Sequence, residues 1–177
     1  MKRRFTGQAQ QEEIRRYLSL EAGGILRWNV LKGELTRTEK RHNTLYSGKV
    51  AGAVCKTLGY RLVMLKKVMY KARVIVFFLH RGRWPVGIVD HENGIRDDNR
   101  PENLRETDAS GNSCNAKLSS RNSSGVKGVS WNAAKGKWKV RVTKRGECHF
   151  GGWFSDFDTA AGVAADIRRV LHGEIAK

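Results

Sequence analysis

Apolar positions recur at helical spacing near the start of the chain. There Ile14, Tyr17 and Leu18 predict a short helix over residues 10–20. Ala22-Gly23-Gly24 ends it, and Ile25-Leu26-Arg27-Trp28-Asn29 reads as a strand. Residues 32–47 are polar and basic without a period and read as a loop. Residues 50–54 and 60–66 alternate apolar and polar positions, as a half-buried antiparallel pair does, with Leu58-Gly59 in the turn. Residues 68–81 read as one apolar helix with Val74, Ile75, Phe78 and Leu79 on one face, stopped by Gly82 and Pro85.

A second group of elements follows. Val89-Asp90-His91 is a short strand running into the turn Glu92-Asn93-Gly94, a favoured turn because Asn and Gly both accept positive φ. Pro101 to Leu104 is a helical or turn segment, and Arg105-Glu106-Thr107 leads to Ala109-Ser110-Gly111-Asn112, giving strand, turn, strand and helix. Residues 117–124 are Ser-, Arg- and Asn-rich and read as a linker. Beyond it, residues 126–131, 137–143 and 148–154 predict three strands. The middle strand puts Trp138, Val140 and Val142 on one face and Lys137, Lys139, Arg141 and Thr143 on the other. A helix over 159–171 closes the chain, with Asp158 or Ser155 as its cap.

Charge narrows the partners. Lys and Arg number 34 against 17 Asp and Glu, a net charge of +17 over 177 residues. Such a field favours polyanions. No apolar stretch approaches the ~18 residues that span a bilayer, and Met1-Lys2-Arg3-Arg4 opens no signal-peptide pattern, so the expected polyanion is nucleic acid. Cys55, Cys114 and Cys148 are odd in number and form no Cys-x-x-Cys pair, so no structural zinc or disulfide framework is expected. His42, His80, His149 and His172 are scattered without metal-ligand spacing.

One stretch carries chemistry. Asp90-His91 is followed twelve residues on by Asn103 and nine later by Asn112, within V-D-H-E-N-G-I-R-D-D-N-R-P-E-N-L-R-E-T-D-A-S-G-N. An imidazole with an ordinary pKa of about 6.5 can take a proton from water at neutral pH, which suits His91 to act as a general base. Asp90 and Asn112 offer the hard oxygens that Mg²⁺ or Mn²⁺ prefer. The stretch resembles the HNH endonuclease signature in the variant whose last histidine is asparagine. Its flanks match too: R-G-R-W-P before it, D-D-N-R-P-E-N-L-R inside it and N-S-C-N at its close. The resemblance implies a ββα unit around one metal ion, with Asp90 and Asn112 as metal ligands, His91 as base and Asn103 as the amide that ties the loops and orients the base. Asn99 reads as a loop stabiliser and Asn115 as a neighbour of the site. Many relatives have histidine where Arg73 stands in Tyr70-Lys71-Ala72-Arg73-Val74, so a phosphate-binding role there passes to Arg73 or is lost.

The last segment, S-G-V-K-G-V-S-W…G-K-W-K-V-R-V…H-F-G-G-W-F…D-T-A-A-G-V-A-A, resembles the AP2 DNA-binding domain over about residues 123–177. A three-stranded sheet can lie in the major groove, and the polar face of its middle strand is the natural reader. The expected DNA contacts are Lys137, Lys139, Arg141 and Thr143, with Lys127 and Ser130 from the first strand. Lys144 and Arg145 in the turn are expected to meet phosphate. Lys117 and Arg121 in the linker either track the backbone or are simply solvated. Phe150 has the parity of a DNA-facing aromatic, with a core position equally open. Trp131, Trp138, Trp153 and Phe154 are assigned to core or sheet edge.

Together these readings give an α+β protein: an N-terminal region and HNH unit over 1–116 (core about 58–116), a linker over 117–124 and an AP2-like domain over 125–177. The expected activity is a metal-dependent, phage-type homing endonuclease acting on double-stranded DNA in a bacterial cytoplasm. It would be a monomer or weak dimer, and one active site per monomer most simply nicks. The alternatives are a non-catalytic DNA-binding regulator and a virion-associated DNA-binding protein.

Overall fold

The computed structural model describes residues 7–109, 111 and 118–172, the last by its backbone only. The chain divides into two compact units, Met1–Glu106 and Thr107–Lys177. It is a mixed α+β protein with small sheets.

The first unit opens with α1 (Gln8–Tyr17), shorter than the expected helix because Leu18 already lies in β1 (Leu18–Glu21). β1 pairs antiparallel with β2 (Ile25–Trp28), joining Leu18 to Trp28 and Glu21 to Ile25. The stretch expected to be loop holds α2 (Arg37–Tyr46). Its stability comes from polar groups, so apolar spacing does not reveal it. Thr36 caps the helix in a capping box with Glu39. The Glu39 carboxylate accepts from the Thr36 N–H at 3.0 Å and from its hydroxyl at 2.8 Å. It also accepts from Tyr17 Oη at 3.2 Å and pairs with Arg16 at 3.1 Å. These bonds, the Thr36 N–H foremost, hold Glu39 down to about 2. Asn43 adds a two-way clasp on the Leu31 backbone, both bonds at 2.8 Å.

Next, β3 (Ala53–Val54), β4 (Arg61–Leu65) and β5 (Val68–Lys71) form an antiparallel sheet in the order β3-β4-β5. The long apolar helix expected from residue 68 is therefore shorter: α3 (Ala72–Arg81) starts four residues later. Lys66 and Lys67 take φ of 46° and 65°, closing a two-residue hairpin that returns Val68 opposite Leu65. Helix α3 is buried nearly all round, at Ala72, Arg73, Ile75, Val76, Phe77 and Phe78, so it is the centre of the unit rather than a one-sided surface helix. Val74 and Leu79, expected on the inner face, are only partly buried, and Val76 and Phe77 take their place. The core gathers Ile14, Leu18, Leu26, Val63, Ile75 and Phe78 with Val89 and Leu104. The last two belong to β6 (Ile88–His91) and β7 (Leu104–Thr107), which pair as a two-stranded sheet.

In the second unit β8 (Val129–Asn132), β9 (Lys137–Lys144) and β10 (Glu147–Phe154) form an antiparallel sheet in the order β10-β9-β8. Helix α4 (Phe157–His172) covers one face, with Ala160 and Ala164 against Val129 and Val140. Asp156, rather than Asp158 or Ser155, caps it, accepting the Thr159 N–H at 2.6 Å. Gly151 is where helix and sheet come closest: a Cβ there would sit 2.6 Å from Val140 and 2.7 Å from Ile167. The segment read as a linker is partly built into this unit, since Asn122 donates to Val126 O at 3.1 Å and Ser124 to Val129 O at 2.7 Å. Among the described residues no helix is long and apolar enough to cross a membrane.

Candidate active site

Strand β6 delivers Asp90 and His91, and the apolar side chain before them anchors it, because Val89 is buried beside Leu104. Alternation along a strand sends the two functional side chains to opposite sides. Asp90 meets Arg105 of β7, 3.8 Å away, whereas His91 faces Asn99 and Tyr60. His91 is 2% exposed, and its ring stacks on Tyr60 with centroids 6.0 Å apart.

The loop from Asn93 to Asn103 is a polar scaffold. Asn103 ties its two ends, donating to Asp98 O at 2.7 Å and accepting the Asn93 N–H at 3.0 Å. Its backbone carbonyl also accepts the Glu92 N–H at 2.9 Å. Asn93 donates to the Asp98 carboxylate at 2.7 Å, and Arg100 holds the same carboxylate through two bonds of 2.8 Å. Arg100 accordingly keeps Asp98 well below the usual carboxylate range. Arg61 of β4 grips Asp97 with two bonds of 3.1 and 3.2 Å, fastening the loop to the larger sheet.

This scaffold presents Asn99 to the histidine. Asn99 Nδ2 donates to Asp97 O at 3.1 Å, which turns Oδ1 toward His91 Nε2 at 3.2 Å. An amide oxygen only accepts, so Nε2 carries the ring proton and Nδ1 keeps the lone pair. Burial, aided by the Arg73 charge, pushes His91 below its ordinary value, while Asn99 and Asp90 pull it back up. At neutral pH the ring is the neutral form, able to accept a proton.

The resemblance gave Asn103 the task of tying the loops and orienting the base, and its hydrogen bonds tie the loop. The residue against the ring is Asn99, read from sequence as a loop stabiliser. A second contributor lies far upstream. Gly24 has φ of 76°, and a Cβ there would stand 2.1 Å from Asn99 O and 2.7 Å from Arg100 N. The first hairpin's turn thus buttresses the loop behind the histidine. Gly24→Ala should cost at least about 1–3 kcal/mol in strain and displacement and weaken the Asn99–His91 bond. Thermal melting and nicking rates measured together should both fall.

Arg73 is buried and lies over Tyr60, 4.5 Å from the ring centroid. Asn112, Asn115 and Lys117 lie outside the described residues, as does most of the helical segment expected to close the unit.

The second unit brings most of its predicted contacts to one face. Lys137, Arg141 and Thr143 are exposed on the side of β9 away from α4, with Lys139 partly exposed and Ser130 paired beside it. Phe150, paired with Arg141, is 56% exposed on that same face. Trp153, expected in the core or at the sheet edge, also lies there, on the edge strand β10 opposite Lys139, with Lys135 and Lys139 over its ring at 4.5 and 5.5 Å. Trp131 is half-exposed at the β8 edge. Arg121 is exposed, while Lys127 is half-buried. Two predicted phosphate contacts are otherwise engaged: Lys144 Nζ donates to Leu171 O near the end of α4, where a cation suits the helix dipole, and Arg145 pairs with Asp108 at 3.4 Å.

Residues 70–114 match the family described as HNH endonuclease. The segment holds Asp90, His91, Asn99 and Asn103, so residues 70–114 are an HNH endonuclease domain. The chain is also 34% identical over 117 residues to Protein 3.8 of Escherichia phage T7, a match covering 63% of this chain and 94% of that protein. The chain therefore belongs to the family of that phage protein. No solved structure matches it.

Proposed function

We propose that the protein is a metal-dependent DNA endonuclease of homing type that nicks double-stranded DNA in a bacterial host's cytoplasm. In this reading its second unit is an AP2-like reader that gives site preference. HNH nuclease domains act on DNA, and the charge of +17 suits that substrate. The observation that carries the catalytic reading is the buried His91 ring, whose Nε2 proton is pinned by Asn99. In this reading the attacking water gives its proton to Nδ1, the ring nitrogen that does not carry one. The imidazolium that forms keeps the Asn99 oxygen as acceptor and the Asp90 carboxylate as neighbour.

Asp90 is a buried carboxylate on the strand that carries the base, and Asn112 adds an amide oxygen, so the donor set fits a hard cation. Mg²⁺ or Mn²⁺ held by these two residues would offset charge on the phosphate and on the departing 3′ oxygen. Lys137, Lys139, Arg141 and Thr143 on the open sheet face supply groove contacts, with Ser130 from the first strand, Lys127 just before it, and Arg121 and Lys117 nearer the phosphates. The chemistry of the ends tests this. Nicks left by water attack with a 3′ leaving oxygen carry a 5′ phosphate and a 3′ hydroxyl, so DNA ligase should reseal them. Sequenced nick positions should cluster. Ends that resist ligase contradict the chemistry, and nicks spread evenly over a genome contradict the reader.

A further inference from the structure

Tyr60 is surrounded by positive charge. The Arg73 guanidinium lies 4.5 Å from its ring centroid, Arg96 5.1 Å and Lys71 5.6 Å, and the His91 ring stacks on it at 6.0 Å. Arg96 and Lys71 are exposed, and Tyr60 is half-buried. Arg73 is 7% exposed, and its Nε–H donates to no acceptor. A buried guanidinium facing an aromatic ring instead of a carboxylate is costly, because the ring's attraction replaces only part of the lost hydration. Three cations around one ring also repel one another.

Local backbone deepens the field. Arg73 is the second residue of α3, whose N-cap is Lys71, with no side-chain cap and no acid in the first turn. That end of a helix carries partial positive charge and unsatisfied N–H groups, so cations there are misplaced unless an anion joins them. The sequence does the reverse of normal capping beside the proposed base.

Resting on the nuclease reading above, we infer that Arg73, laid on Tyr60 and flanked by Lys71 and Arg96 at the open end of α3, binds a phosphodiester group of the DNA strand next to His91. The phosphate supplies the missing anion: it accepts from Arg73, relieves the repulsion among the three cations and meets the helix end. Tyr60 is the platform that holds the Arg73 guanidinium flat and aligns it with the His91 ring. Lys71, Arg96 and Tyr60 thereby join the site, although none stood out in the sequence.

The test compares the full-length wild type with Arg73→Met and Arg73→Lys. Binding to a labelled random-sequence duplex is read by anisotropy in EDTA over a range of salt, beside thermal melting in phosphate-free buffer and plasmid nicking with Mg²⁺. The slope of log affinity against log salt should shrink by about 0.9 in Arg73→Met, the share of one lost phosphate contact. Nicking should fall by at least about 100-fold. Melting should stay level or rise, because an uncompensated buried charge has gone. Arg73→Lys should keep most of the slope. An unchanged slope in Arg73→Met overturns the proposal. So does a steep loss of melting temperature in both variants, which makes Arg73 a structural residue. A wild type that nicks while Arg73→Met nicks equally well rejects the phosphate site and keeps the nuclease. A wild type that never nicks, with the slope difference present, keeps the anion site and rejects the nuclease.

Discussion

Replacing His91 with alanine is expected to slow metal-dependent nicking by about 10²–10⁴-fold, the range that a positioned general base contributes. The side chain is fully enclosed, so part of any effect must be separated from lost packing. Asn99→Ala makes that separation. It leaves the ring in place and removes the acceptor at 3.2 Å that fixes the Nε2 proton, together with the Nδ2 bond to Asp97 O. Freed to carry its proton on either nitrogen, the ring presents the wrong one for part of the time, and the loss should be smaller, about 10–100-fold. Melting temperatures of both variants serve as the control. Loss of nicking in proportion to loss of folded protein would make His91 a packing residue. Equal rates in Asn99→Ala and wild type would remove Asn99 from the positioning role.

The largest expected loss of stability comes from Phe78→Ala, at about 3–5 kcal/mol. Phe78 is fully buried at the centre of α3, with Trp84 tilted against it at 5.4 Å and the Arg15 guanidinium 4.6 Å from its ring centroid. Its truncation opens a cavity between the helix and the first hairpin, and small shifts do not close it because neighbours on several elements share that ring. The loss is a large share of the ~5–15 kcal/mol that holds a domain of this kind folded. Urea denaturation followed by far-ultraviolet circular dichroism should show it. A change below about 1 kcal/mol would mean that α3 is not the centre of the unit.

These two residues were unequally legible. Phe78 announced itself through apolar spacing, and Asp90, His91 and Asn103 through the spacing of their motif. The three strands of the second unit were visible because β9 alternates without interruption from Lys137 to Thr143. Two elements depart from the apolar pattern for opposite reasons. Helix α2 rests on the capping box of Thr36 and Glu39 and on Asn43, polar bonds that leave no apolar stripe; the Thr-x-x-Glu spacing was its one visible sign. The strand Val68–Lys71 was absorbed into a helix because its apolar residues run on into α3, and the turn before it uses two lysines at positive φ in place of glycine or asparagine.

At the site, roles that follow from chemistry were readable and those that follow from placement were not. Nothing local marks Asn99 rather than Asn103 as the residue against the ring, because both are asparagines in one polar loop. Gly24 acts on that loop from 75 positions away along the chain, and Tyr60 gathers cations from two separate segments, Lys71 and Arg73 from one and Arg96 from the other. Such links arise only when the chain closes on itself.

The central claim is that His91 drives a metal-dependent cut in DNA. Relaxation of supercoiled plasmid by wild type and His91→Ala, each with Mg²⁺ and with EDTA, tests it most directly. The account predicts open-circular product from wild type with Mg²⁺ alone and none from the variant or from either protein in EDTA. Tight binding by a wild type that leaves the plasmid supercoiled in Mg²⁺ and in Mn²⁺, or equal nicking by His91→Ala, would contradict it.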